Sequence, residues 1–232
     1  LNVLGYLLVA LSILLIVPII IDLISGNDSW KSFLISLIIT LGFGVTFLLS
    51  TRNELKNKIL TQDAFLITTL SWIFISIFGA LPFFFLDSSL SLTNSIFESM
   101  SGITTTGSTI FNEVENLPQG ILIWRSILQW VGGVGIIVMA VSILPVLQVG
   151  GMQVFRTESS DTTDKILPRT TQVASAVILI YIILTVTCLI AYWVGGMNLF
   201  DAIVHSMTTI ATGGFSSKND SFASFNNCLL YT

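Results

Sequence analysis

Two polar runs interrupt a sequence dominated by aliphatic residues: Thr104-Thr105-Thr106-Gly107-Ser108-Thr109 and Thr212-Gly213-Gly214. Neither carries a titrating side chain, so their chemistry must come from the backbone. Carbonyl oxygens of an extended Thr-Gly strand can replace the hydration shell of a cation. Glycine permits backbone angles that a Cβ disfavours, which lets such carbonyls turn inward. Ahead of the first run, Ile96, Phe97 and Met100 recur at helical spacing, with Thr93 or Asn94 as the expected cap and Glu98 in the following turns. A helix of that polarity aims its C-terminal end, about half a negative charge, at the strand that follows. Its apolar stretch is too short to cross a bilayer, which needs about 20 residues. A short helix handing over to polar backbone suits a re-entrant loop, tolerated at membrane depth only where protein or water surrounds it.

The second run repeats the layout of the first 107 residues later. Ile96 meets Ile203, Ser99 meets Ser206, Met100 meets Met207, Ile103 meets Ile210, Thr105 meets Thr212 and Gly107 meets Gly214. Both copies follow a long apolar stretch and both end in Thr-x-Gly. Internal repeats of this kind are the usual construction of transporters.

The elements that must carry these loops are membrane helices. The chain of 232 residues is 53% hydrophobic and only 9% charged, with mean hydropathy +0.90. Soluble domains carry about 25% charged residues, so a cytosolic enzyme and a disordered chain are excluded. The net charge of −4 leaves no basic surface for nucleic acid. Five apolar stretches are long enough to span: Leu4–Ile24, Phe33–Ser50, Phe65–Leu86, Leu122–Leu147 and Val173–Val194. Cys188 and Cys228 show neither disulfide nor zinc spacing. Six of the nine basic residues (Arg52, Lys56, Lys58, Arg156, Lys165 and Arg169) fall in two loops on one side. The positive-inside rule makes that side cytoplasmic. The N-terminus is therefore expected inside and the C-terminus outside.

At four blocks the sequence resembles the Trk/Ktr/HKT superfamily of potassium transporters, most closely its bacterial TrkH-type subunits. The blocks read FESMSGITTTG at 97–107, WRSILQWVGGVG at 124–135, GGMQVFRTE at 150–158 and HSMTTIATGGFS at 205–216. The resemblance implies an all-α polytopic membrane protein of span–pore-loop–span repeats with re-entrant pore helices, preceded by two extra spans. Residues 1–60 would hold the two N-terminal helices, 61–150 the first unit, 151–172 a cytoplasmic loop, and 173–232 a second unit with span and pore loop only. It implies a K+ filter in which Gly107 and Gly214 are the first two filter glycines. Thr105, Thr106, Thr212 and Gly213 would lend coordinating carbonyls. It implies no enzymatic activity and no organic cofactor. It implies a multi-pass subunit of the bacterial inner (plasma) membrane, a homodimer, and a cytoplasmic nucleotide-binding regulatory partner that the loop 148–172 would meet. Four units surround the pore in that architecture, and two of them are not in this sequence. Half a filter cannot enclose an ion, so these residues by themselves are expected not to conduct. A sodium-permeant relative is the alternative within transport. Resemblance links Ser at the first filter position of some plant members to sodium passage, so Gly107 favours potassium.

Other signals have blander readings. Gly102–Thr109 has P-loop glycine spacing but lacks the lysine, and Gly132-Gly133-Val134-Gly135 fails the dinucleotide fingerprint. Close packing through small residues is the reading preferred for the latter. His205 could belong to an intramembrane hydrolase, but a buried hydrogen-bonding role on the second pore helix is preferred. Glu98 either concentrates cations at the outer mouth or satisfies backbone donors. Arg125 is expected to anchor at the interface or pair with Glu113 or Glu115. Trp30, Trp124, Trp130 and Trp193 fit an aromatic belt near span ends. Met100 and Met207 are expected to pack behind the filter.

Overall fold

The computed structural model describes residues 1–51, 61–86, 90–147 and 166–225. The basic residues on which the orientation rests (Arg52, Lys56, Lys58, Arg156 and Lys165), the acids of the loop 148–165 and Cys228 lie outside these, as does the side chain of Arg169. Among the described residues every regular element is a helix, with no β-strand.

The first span is two helices, α1 (Asn2–Leu14) and α2 (Ile16–Ser25). The break has a local cause: Pro18 offers no N–H to the Leu14 carbonyl, and its ring crowds that oxygen. The third span breaks in the same way, into α4 (Thr61–Gly79) and α5 (Leu81–Leu86), with Pro82 four residues beyond Phe78. Between them runs α3 (Trp30–Ser50), which crosses α1 where both chains are small. A Cβ on Gly44 would stand 3.1 Å from the Val9 nitrogen. Along α3 the Ser36 and Thr40 hydroxyls donate to the carbonyls one turn back, so no polar group is left bare in an apolar setting.

The remaining elements are α6 (Leu92–Ile103), α7 (Gln119–Leu147), α8 (Ile166–Val194) and α9 (Leu199–Ile210). The helix expected from Val173 thus begins at Ile166, inside the expected loop. Pro168 sits in its first turn, where a missing N–H breaks no bond. Five helical segments are long and apolar enough to cross a membrane. The 12-residue α6 and α9 are not. The core lies where α1, α2, α3 and α5 meet the first half of α7: Leu8, Leu15, Phe33, Phe83, Ile121 and Trp124 are all fully buried. By contrast α8 leaves Ile178, Leu179, Ile183, Leu184 and Ile190 exposed.

Of the belt tryptophans, Trp124 belongs to this interior instead, and Trp130 is half-buried. Trp124 is buried and its indole donates to the Gly79 carbonyl at 3.0 Å. Trp130 donates to Thr185 and leans on Tyr181. Trp193 is exposed, as a belt residue should be.

Candidate functional site: two re-entrant loops on one helix

Each short helix starts at a side-chain cap. Ser91 Oγ accepts from the Asn94 N–H at 3.1 Å, and Asn198 Oδ1 accepts from the Asp201 N–H at 2.8 Å. The first cap is therefore Ser91 and not Thr93 or Asn94. The helix begins at Leu92, and Ser91 is the extended residue whose hydroxyl reaches back into the first turn. Ser91 and Asn198 are themselves 107 positions apart.

The helix ends match bond for bond. Thr105 N–H donates to Gly102 O and Thr106 N–H to Ser101 O. In the second loop Thr212 N–H donates to Thr209 O and Gly213 N–H to Thr208 O, all four at 2.9 Å. This double closure leaves one residue left-handed just past the helix, a position glycine normally takes. Here it is threonine both times, with φ 56° at Thr105 and 54° at Thr212. A β-branched residue in that region is strained, by about 1–3 kcal/mol. Two residues on, Gly107 has φ 79° and Gly214 φ 81°. The residues between, Thr106 and Gly213, stay at negative φ. Alternation of hand turns successive amides to one side and their carbonyls to the other, unlike the two-sided carbonyls of a β-strand. Such a backbone can present oxygens to one ligand.

The two strands touch. A Cβ on Gly107 would collide with the Gly213 carbonyl oxygen and stand 3.7 Å from Gly214 Cα. Gly107 is therefore constrained twice, by its left-handed φ and by the neighbouring strand. Of the six expected filter residues, Gly107 is brought against Gly213 and Gly214 at one seam.

One edge of α7 holds that seam together. Arg125, near its N-terminal end, donates through Nε to Glu98 Oε1 at 2.8 Å, through Nη1 to the Ser216 carbonyl at 3.2 Å and through Nη2 to Thr109 Oγ1 at 3.1 Å. Its guanidinium carbon lies 4.1 Å from the centre of the Phe215 ring. The pairing expected with Glu113 or Glu115 is corrected: Glu113 accepts from Asn116, Glu115 lies near Lys218, and Glu98 is the partner. Glu98 has no exposure, and it also accepts from Thr109 Oγ1 and the Ile110 N–H. Buried and neutralised by Arg125, it cannot draw cations to a mouth; it satisfies donors.

One turn on, Gln129 donates to the Gly213 carbonyl at 2.8 Å and accepts from the Phe215 N–H at 3.1 Å. The Gly213 oxygen, expected to be free for a cation, is thus already engaged by one lone pair. One turn further, Gly132 packs so tightly that a Cβ would enter the Ile103 carbonyl, while a Cβ on Gly133 would stand 3.2 Å from Ala211 Cα. Gly132 and Gly133 pack closely, as expected, against the ends of the two short helices, whereas a Cβ on Gly135 would meet nothing within 4 Å. Gln129 was missed in the sequence. The available signal was its place, with Arg125 and Gly132-Gly133, on one helical face.

The residue opposite Glu98 in the repeat is His205. Its Nδ1 bonds the Asp201 carbonyl at 2.8 Å, and its Nε2 meets Ser216 Oγ at 3.0 Å. Glu98–Thr109 and His205–Ser216 occupy the same two positions of their loops. A Ser/His pair would be needed by a hydrolase, but this imidazole is fully buried, with Phe222 and Phe225 packed on its ring. It braces its strand as Glu98 does. Met207 packs against the core, and Met100 Sδ accepts from Ser76 Oγ at 3.1 Å.

The N-terminal helices are tied to the same scaffold. Asp22, fully buried on α2, accepts from the Gly120 N–H at 2.7 Å and from Ser29 Oγ at 2.6 Å. It caps an amide that the first turn of α7 cannot pair internally.

Comparison with known proteins agrees with this architecture. The family model described as "TrkH: Cation transport protein" matches residues 29–232. The Trk system potassium uptake protein TrkI of Halomonas elongata is 43% identical over 226 residues, covering 97% of this chain and 46% of that protein. The Trk system potassium uptake protein TrkH of Escherichia coli K12 is 41% identical over 234 residues, covering 100% and 48%. The crystal structure of the potassium transporter TrkH from Vibrio parahaemolyticus superimposes with TM-score 0.84 at 37% identity, over 97% of this chain and 45% of that one. The chain spans about half the length of the curated relatives it matches. It is a multi-pass membrane protein, and it belongs to the TrkH cation transport protein family.

Proposed function

We propose that this sequence forms two of the re-entrant loops, and the helices that hold them, of a potassium-uptake subunit. The carrying observation is the contact of two strands of identical backbone signature at Gly107 and Gly213. Carbonyls of Thr105, Thr106, Gly107, Thr212 and Gly214 take over part of the ion's hydration shell, and Gly213 contributes through the lone pair that Gln129 leaves open. The preceding helices α6 and α9 turn their negative ends toward the ion. Nothing in this mechanism requires bond making, so transport rather than catalysis is the activity. K+ is the cargo, and no organic cofactor is needed on these residues.

The finer organisation belongs to the same proposal. Residues 1–60 brace the assembly, 61–150 form the first unit, 151–172 lead through the cytoplasmic side, and 173–232 begin the second unit. The N-terminus is cytoplasmic in a bacterial inner membrane. The subunit works as a homodimer, in contact with a cytoplasmic nucleotide-binding regulatory partner. The remaining half of the ion path comes from other segments, so residues 1–232 alone do not conduct.

The test is growth and 86Rb+ uptake in potassium-uptake-deficient cells expressing the complete subunit. Gly107→Ala and Gly214→Ala should each abolish uptake at unchanged membrane abundance. Unchanged uptake in both variants would remove the loops from the ion path. Sodium uptake equal to that of potassium would favour the sodium-permeant reading.

A further inference from the structure

We infer that Gln129 is a positioning residue for the second ion-lining strand, and that its carboxamide replaces a brace the first strand makes from its own side chains. The inference rests on the transport reading above and adds a residue to it. In the first loop Thr104 Oγ1 and Thr106 Oγ1 lie 2.8 Å apart in a hydrogen bond, and Thr104 also donates to Met100 O. The strand is thus tied by side chains to the helix it leaves. The equivalent positions in the second loop are Ala211 and Gly213. Both hydroxyls are absent, and two glycines, Gly213 and Gly214, stand together where the backbone must hold alternate hands.

Gln129 occupies the space this opens. A Cβ on Gly213 would collide with the Gln129 carboxamide, so the carboxamide in this position requires glycine at 213. The carboxamide is fully buried and uses both ends: Nε2 donates to Gly213 O, and Oε1 accepts from Phe215 N–H. These two bonds straddle Gly214, where a Cβ would find nothing within 4 Å. Space alone does not restrain that glycine, so the flanking bonds must. Without Gln129 the Gly213–Gly214 peptide is free to rotate, and the number of oxygens facing an ion varies. A filter discriminates between ions through the number and spacing of its oxygens. Gln129, which touches no ion, therefore governs selectivity through the peptide it holds.

The experiment uses the complete subunit in potassium-uptake-deficient cells, with Rb+ and Na+ uptake measured at matched membrane abundance. Gln129→Met keeps the bulk and removes both hydrogen bonds. Gln129→Glu keeps the shape and, ionised, loses the donor to Gly213, so it decides the matter where Gln129→Met does not accumulate. Potassium-over-sodium discrimination should fall about tenfold, the scale set by losing one or two buried hydrogen bonds. A residue that only stabilised the fold would lower abundance and leave that ratio unchanged. Wild-type discrimination in an accumulating variant overturns the inference. Failure of the unaltered subunit to take up Rb+ would instead overturn the transport reading.

Discussion

Replacing Arg125 by methionine tests whether the buried ion pair is what locks the two loops to α7. The side chain makes three hydrogen bonds and covers the Phe215 ring. Methionine keeps an unbranched apolar stem but strands the Glu98 carboxylate, which has no exposure and retains only Thr109 Oγ1 and the Ile110 N–H. Breaking a buried pair from one side costs about 3–5 kcal/mol. The curated relatives are about twice as long as these residues; at that size each kcal/mol moves the unfolding midpoint by about 1–2 °C, so Tm should fall by roughly 3–10 °C. Glu98→Gln should fall at the lower end of that range, because its carbonyl still accepts from Ile110 while Arg125 keeps Ser216 and Thr109. The double variant Glu98→Gln, Arg125→Met leaves no unpaired charge. It should recover about 2–3 kcal/mol relative to the sum of the singles. The assay is thermal unfolding of the detergent-purified complete subunit, with loss of the monodisperse peak on gel filtration as readout. Additive single effects, or an Arg125→Met midpoint within about 1 °C of wild type, would refute the reasoning.

The same thermal assay checks three further outcomes. Gly132→Ala should destabilise by about 1–3 kcal/mol, because its Cβ meets the Ile103 carbonyl, whereas Gly135→Ala, with nothing within 4 Å, should be neutral or slightly stabilising. Asp22→Leu leaves the Gly120 N–H unpaired in the interior and should cost about 1–3 kcal/mol; Asp22→Asn, which keeps the acceptor, should cost less than half as much. Asp28 is the contrasting case: the Lys31 hydrogen bond, then its charge, holds that carboxyl below the usual range. A depressed folded pKa gives stability present above the unfolded value and lost as pH falls through the folded one. Both partners are exposed, so Asp28→Asn should leave the midpoint unchanged at neutral and mildly acidic pH, because solvent screens such pairs.

The spans were legible because a bilayer asks only for length and apolarity, and both are local properties. The breaks at Leu15 and Ala80 were legible in principle too, three residues ahead of Pro18 and two ahead of Pro82, but hydropathy alone runs straight through them. The Ser91 cap was missed by two to three residues because periodicity marks where a helix buries a face, not where it starts. Arg125 and Glu98 could not be paired from spacing: they are on different helices, and Glu113 and Glu115 lie closer along the chain. Trp124 was misplaced for a related reason. A tryptophan near a span end satisfies a belt, but only tertiary contacts reveal that its indole reaches the Gly79 carbonyl left near the Pro82 break. Gln129 gave the weakest signal of all, since one neutral polar residue scarcely alters the hydropathy of a span.

The repeat separates what the loops must conserve in shape from what they can achieve by different chemistry. Six identities link the copies, and two of these, Thr105/Thr212 and Gly107/Gly214, carry the positive φ values. The backbone path is duplicated to within about two degrees of φ at both positions. The braces are not. Glu98 holds Thr109 in one copy and His205 holds Ser216 in the other. Thr104 and Thr106 tie the first strand from within, while Gln129 ties the second from a neighbouring helix. The strained threonines explain the need for braces. A left-handed β-branched residue persists only when its surroundings over-determine it, and each loop achieves that with the partners its neighbours supply. α7 is the neighbour both loops share, so Arg125, Gln129 and Gly132-Gly133 recur at helical spacing along one edge. A change at Arg125, which bonds Glu98 and Thr109 in one loop and the Ser216 carbonyl in the other, should therefore perturb both strands together, whereas a change in Thr104 should perturb the first alone and one in Gln129 the second.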